Sequence, residues 1–306
     1  MSAKLLRRRY AREFGRMERY SKTIAWAIVI SFIFQMALAV GLGAFAASLE
    51  TSFASVFSIA MFVIFIGTRL RALNNIVHEC THATFAEHRE DNATIGKFCA
   101  AILLCSFETY REEHLTHHMH LGDYQNDLDF QSIERFRLHE PLSLRVIARH
   151  IFTPLVGMHL PYYLSVDLSA RDGRIYQILK FGILGIVAVV SFLFPVSMLF
   201  LIVPFVMVFT TLNYWADCID HAGIVAANDD LEASRNVRAA GLLRLLFFPR
   251  NDCFHLVHHL FPHIPARHLP QIHSRLLLDD LYRTRPNANQ NSLPSKGQIQ
   301  INDGSM

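Results

Sequence analysis

Charge is scarce in this chain. Asp, Glu, Lys and Arg make up 18% of 306 residues, whereas 52% are hydrophobic. A soluble globular domain of this length carries about a quarter charged residues, so that class is disfavoured. Basic residues are missing from two long stretches, with no Lys or Arg between Lys22 and Arg69 or between Lys180 and Arg235. Cysteine is also sparse: Cys80, Cys99, Cys105, Cys218 and Cys253 are odd in number and show no C-x-x-C spacing. That excludes a disulfide framework and a cysteine-held cluster, fits a reducing compartment, and leaves each thiol to read as a small buried apolar group. An H-P-G-G haem motif and a dinucleotide fingerprint are lacking as well. No cleavable signal peptide is expected, because the first apolar run is too long for one and lacks a convincing cleavage site.

What the chain does have is apolar length. Thr23–Leu49 and Phe53–Leu70 form one pair of runs, and Ile178–Phe194 and Val196–Trp215 a second pair broken at Pro195. Each is expected to cross a hydrocarbon core of about 30 Å as a helix. Lys4, Arg7, Arg8, Arg9, Arg12 and Arg16 precede the first run. A nucleic-acid reading of that basic start yields to cytoplasmic anchoring, because a membrane run follows directly. The charge gaps then make the turns near Glu50 and Pro195 the non-cytoplasmic ends of two hairpins. Ile95–Phe107 is apolar but too short to span, and reads as a buried or re-entrant helix. The stretch Pro141–Pro161, with Arg145, Arg149 and His150 among Leu, Ile and Phe, reads equally as a membrane-surface helix or as a solvated helix face. The expectation is an all-α integral membrane protein: four transmembrane helices in two hairpins, with a cytoplasmic helical cap and both termini cytoplasmic. Residues 1–283 form a single domain, and 284–306, rich in Asn, Gln, Ser and Pro, form a disordered polar tail.

Histidine is in excess, with 17 in the chain. Eight fall into three short clusters: His78 and His82; His114, His117 and His118; His255, His258 and His259. Positions i, i+3 and i+4 share a helical face, so each cluster presents a stripe of imidazoles. His221, in D-C-I-D-H-A-G, stands alone just after the fourth apolar run. Nine imidazoles exceed the three or four ligands of one zinc site and suit two metals with four or five ligands each. Imidazole accepts zinc, copper, iron or nickel, so the donor set leaves the metal open. Lone histidines such as His139, His150 and His159 read as surface or core residues. His88, His120, His263, His268 and His273 lie near the clusters without matching the ligand face.

These clusters carry a resemblance. H-x-x-x-H after a membrane hairpin, then H-x-x-H-H, then a second hairpin and another H-x-x-H-H, resembles the membrane fatty acid desaturase superfamily. His78-Glu79-Cys80-Thr81-His82-Ala83 resembles its first box. H-L-T-H-H-M-H-L-G-D followed by Asn126-Asp127-Leu128-Asp129 is similar to its second box and the acidic segment behind it. H-L-V-H-H-L-F-P-H-I-P-A-R-H-L-P-Q-I-H resembles the third box, and the match covers Leu70 to Ile272. The resemblance implies a non-haem di-iron centre held by His78, His82, His114, His117, His118, His221, His255, His258 and His259. It implies dioxygen as co-substrate and two external electrons, with desaturation of a fatty acyl or lipid chain as the first expectation. Glu79, Asp127 and Asp129 are candidates to orient the imidazoles. In some members an amide four positions before the lone histidine holds a metal-bound water; this chain has Asp217 there, which leaves that role open.

Other outcomes share the same chemistry. A hydroxylase or ketolase of a lipid or carotenoid, or a desaturase of a small amino-acid-like metabolite, would use the same centre. From other classes, His78-Glu79-x-x-His82 also spells the H-E-x-x-H of a membrane zinc protease, with Glu79 as general base. A non-catalytic metal-binding or transport protein is a further reading. Neither accounts for three boxes outside the apolar runs. The oxygenase reading requires an electron donor in trans, a ferredoxin or a b-type cytochrome with its reductase. The basic N-terminus, or Arg145 and Arg149, would dock an acidic donor or lipid headgroups. No nucleic-acid partner is expected.

Overall fold

A computed structural model describes residues 2–15, 17–227 and 229–288. Among them there is no β-strand, only an isolated parallel bridge between Tyr20 and Ala86. Helix α1 (Ser2–Phe14) buries Ala3, Leu6, Tyr10 and Phe14, which recur at helical spacing on one face. That face packs against Leu256, Leu260, Phe261 and Tyr282. The basic start is therefore partly consumed by the fold. Arg7 pairs with Asp230, Arg9 pairs with Asp279, and Arg7 also donates to the carbonyls of His259 and Leu260, each at 2.9 Å.

Helices α2 (Lys22–Ser48) and α3 (Phe53–Thr81) follow, joined by a short turn and packed along each other. Ser52 and Ser55 form a reciprocal capping box that satisfies orphan amides at the start of α3. The first half of α3 is largely exposed, whereas Ile66 to Thr81 is almost continuously buried. The helix thus runs on past its apolar run and carries His78 in its last turn. Helix α4 (Arg89–Ile102) has Ile95, Cys99 and Ala100 fully buried and packs against α3. It takes in Ile95–Ile102 of the short apolar segment Ile95–Phe107 read from sequence, whose last residue instead opens the next helix. At about 21 Å it falls short of a bilayer core.

Helix α5 (Phe107–His120) starts at Ser106, whose hydroxyl accepts from the Thr109 amide. The Asp172 carboxylate accepts from the amides of Phe107 at 2.9 Å and Glu108 at 3.1 Å, holding that helix end as anions do. Helix α6 (Leu144–Leu155) buries His150 and Thr153 and turns Leu144, Phe152 and Leu155 outward. Its exposed residues are mostly apolar, with Arg145 among them.

Helices α7 (Arg174–Leu193) and α8 (Pro195–His221) complete a set of four long and apolar enough to cross a membrane. Within α8, Pro204–Phe209 is a π-helical stretch. It begins at a proline, which removes one helical N–H and crowds the preceding turn. Gly67 of α3 meets this stretch, and a Cβ there would lie 2.3 Å from a Val208 methyl. Short helices α9 (His255–Leu260) and α10 (Leu269–Leu276) close the chain around Leu256, Leu260 and Ile272. Of the expected polar tail, residues 284–288 fold back: Asn287 accepts from the Asn236 amide, and Ala288 is buried. Residues 289–306 lie outside the described residues.

Candidate metal centre

The sequence clusters end up in two groups of side chains. His78, His82, His114, His118 and His258 offer nitrogens that all lie within 4.8 Å of one another. His117, His221, His255 and His259 form a second such group. All nine sequence-read histidines fall into one group or the other. The boxes do not stay whole, however. His114 and His118, one turn apart, enter the first group, while His117 turns into the second. The third box does the reverse, with His255 and His259 in the second group and His258 in the first. The reason is angular. At about 100° per residue, position i+3 falls to one side of the i, i+4 stripe, and two facing helices exchange those outlying rings.

The spacing of the nitrogens tests whether metals fit. Nε2 of His258 lies 2.9 Å from Nε2 of His78 and 3.0 Å from Nε2 of His118. Nε2 of His114 lies 3.1 Å from that of His82 and 3.0 Å from that of His118. In the second group, Nε2 of His255 lies 2.8 Å from that of His221 and 2.9 Å from that of His259. A neutral imidazole nitrogen has one N–H or one lone pair, so a chain in which each inner nitrogen meets two neighbours cannot be satisfied by hydrogen bonds alone. A shared cation satisfies it. Ligands at right angles on imidazole–metal bonds of about 2.0–2.1 Å stand about 2.9–3.0 Å apart, closer than tetrahedral ligands would. The donor set of each group fits a metal ion.

Electrostatics keeps these nitrogens available. Burial, reinforced by the other imidazoles, holds His114, His118, His255, His258 and His259 well below the usual histidine value. His82 is pushed down to about 4 by burial and the charge of Arg111. His117 departs from this pattern. Burial opposes its charge, but the hydrogen bond and charge of Asp127, with Asp129 and Asp217 nearby, outweigh it and raise the imidazole. A proton on Nδ1 is thereby favoured, and Nε2 is left facing the group.

The far nitrogens are tied down. His117 Nδ1 bonds the fully buried Asp127 at 2.9 Å, His114 Nδ1 lies 3.4 Å from Asp129, and His221 Nδ1 donates to the Ala233 carbonyl at 3.0 Å. Such contacts fix tautomer and ring orientation. Asp127 and Asp129 thus each face an imidazole of the second box. Asp220, missed in sequence, stands 3.6 Å from His255 Nδ1. Adjacency to His221 hid it, because neighbours i and i+1 point to different faces of a helix. Glu79 differs from expectation. Its carboxylate takes a bidentate pair from Arg250, at 2.7 and 3.0 Å, and contacts no imidazole. Asp217 accepts from the Tyr163 hydroxyl at 2.6 Å and likewise touches no imidazole. His150 and His159 bond Tyr214 and Thr210, His273 bonds Tyr282, and His268 lies beside the Glu18 carbonyl. None of these reaches the centre.

A cavity of about 580 Å³ opens on both groups, reaching His78, His114, His117, His221 and His255. Its walls mix Leu103, Ile133, Phe205 and Phe209 with Arg71, Glu113, Asp129 and Asp217.

Residues 54–290 match the family model described as fatty acid desaturase. The chain belongs to the fatty acid desaturase family. Individual relatives are distant. A dihydrorhizobitoxine desaturase of Bradyrhizobium elkanii is 28% identical over 222 residues, 66% of this chain and 63% of that protein. A chloroplastic omega-3 fatty acid desaturase of Glycine max is 24% identical over 233 residues, 66% of this chain and 51% of that one. A chloroplastic sn-2 acyl-lipid omega-3 desaturase (ferredoxin) of Arabidopsis thaliana is 25% identical over 111 residues, 36% of this chain and 25% of that relative. The matches thus span less than two thirds of these desaturases. The family match encloses all nine imidazoles and both groups that could hold metal.

Proposed function

We propose that this desaturase-family chain is a membrane di-iron oxygenase acting as a desaturase. The observation that carries the reading is the pairing of five and four converging imidazoles on one cavity, within a family match that encloses them all. The nine histidines would hold two non-haem irons, which would supply an oxidant able to take hydrogen from an unactivated C–H bond. In balance, a C–C single bond becomes a double bond, and its two hydrogens, with two external electrons and two protons, reduce O₂ to two waters.

The protein's own residues do the positioning. Asp127 keeps the proton on His117 Nδ1, Ala233 does so for His221, and Asp129 and Asp220 steer His114 and His255. The cavity walls hold the substrate against both groups and keep bulk water away. Electrons arrive in trans from a ferredoxin or a b-type cytochrome with its reductase. The relative named for ferredoxin supports the first of these. The four long helices cross the membrane as two hairpins, in one domain over residues 1–283. The termini and the metal centre lie on the cytoplasmic side, and the outward apolar residues of α6 rest on the bilayer surface.

The omega-3 relatives support an acyl-lipid substrate, and the relative named for dihydrorhizobitoxine supports a small metabolite instead. The zinc protease gains nothing, because Glu79 is held by Arg250 and is not free to act as a base. The test is metal analysis of the purified protein by mass spectrometry, beside a His117→Ala control. About two irons per chain, reduced in the control, support the reading. One zinc retained in the control defeats it.

A further inference from the structure

Resting on that reading, we infer that the cavity takes a compact substrate carrying a protonated amine, rather than the bare hydrocarbon of an acyl chain. Three sets of observations lead there.

The first is charge. Among the lining residues are six carboxylates, Glu113, Asp129, Asp167, Asp217, Asp220 and Asp252, and one guanidinium, Arg71. Arg71 is already engaged by Asp252 and by Asn213 Oδ1 at 2.9 Å. Asp129 and Asp220 face His114 and His255, and Asp167 accepts from the Ser169 amide. Two carboxylates are left for a ligand: Asp217, whose one hydrogen-bond partner is the Tyr163 hydroxyl, and Glu113, which has no hydrogen-bond or ion-pair partner among the described residues.

The second is hydrogen-bonding capacity with no protein partner. Asn75 is only 6% exposed, lines the cavity, and its side-chain amide nitrogen has no acceptor. Asp220 Oδ1 and Asp252 Oδ1, also at the cavity, are buried without donors. A hydrocarbon packed there would strip water from these groups and return nothing. An ammonium group gives three donors to carboxylates, and an oxygen on the same molecule accepts from Asn75.

The third is the placement of apolar surface. Leu103, Phe205 and Phe209 offer a nonpolar wall on the side of α4 and the π stretch of α8, and Leu128, Phe130, Ile133 and Leu164 extend the nonpolar lining. It suits a few carbons of a small molecule beside the metal groups. At about 580 Å³ the cavity has the size of an ordinary small-molecule site.

The test is calorimetric titration of the full-length, metal-replete protein in detergent with hexylamine, L-norleucine and hexanoate, with metal content measured on the same preparation. Both amines should bind, with hexanoate at least about tenfold weaker. Asp217→Asn and Glu113→Gln should each weaken hexylamine about tenfold at unchanged metal content. Hexanoate binding as tightly as hexylamine, or a metal-replete protein that binds no amine, overturns the inference and leaves the di-iron reading standing. A preparation holding one zinc overturns both. The wild-type ligand series decides the matter even where a variant fails to fold.

Discussion

His117 and His118 are neighbours in the chain yet belong to different imidazole groups, their ring planes 80° apart. Each H-x-x-H-H box therefore sends an i, i+4 pair to one group and its i+3 member to the other. The two groups are interleaved, so losses at different positions of one box have different consequences.

His117→Ala should remove one of four donors from the second group, and His258→Ala one of five from the first. Each variant is expected to lose about one of two metal equivalents and at least about 100-fold in turnover, while still inserting into membranes. Metal analysis and a desaturation assay on the same preparation check this. Full activity in either variant would count against the centre.

Asp127→Asn leaves His117 with a weaker acceptor on Nδ1, at a position with no solvent to replace it. Metal affinity or turnover should fall about 10–100-fold with the fold retained. Leu278→Ala, exposed and outside the cavity lining, should change neither by more than about twofold. Competition with a chelator measures the affinity.

Glu79 and Arg250 form a buried bidentate pair. Removing one partner strands a charge, so Glu79→Gln and Arg250→Met should each cost about 3–5 kcal/mol of stability. The double variant should recover part of that loss. Thermal denaturation in detergent reads the effect. A hydrolytic activity lost specifically in Glu79→Gln would revive the protease.

Burial, with the charge of Arg149, holds His150 down at about 4, and its ring nitrogen bonds the Tyr214 hydroxyl at 2.7 Å. Its folded value is depressed, so the unfolded chain takes up the proton first. Its contribution to stability is complete above about pH 6.5 and is lost as pH falls toward 4. His150→Gln should flatten the fall in melting temperature across that window, with little change at pH 7.

Much of this was legible from spacing. Charge-free runs announced four long helices, because length and composition alone decide that a segment can cross a membrane. The boxes announced convergent imidazoles, because i, i+3 and i+4 share a face. What sequence did not show was every relationship set by packing between distant segments. The exchange of His117 and His258, Asp220 reaching His255 and Arg250 capturing Glu79 depend on how α3, α5, α8 and α9 meet. The eleven-residue extension of α3 past its apolar run was also hidden, since hydropathy falls where burial by other helices begins.

The interleaving carries a consequence for how the protein matures. Four of the five donors of the first group lie at or before His118, whereas three of the four in the second group lie at or after His221. A chain emerging from the ribosome completes most of one chelate before its second pair of apolar helices exists. The other chelate closes only when the last box arrives. The second group is complete only once helix α9 is made, because His255 and His259 are its last two donors.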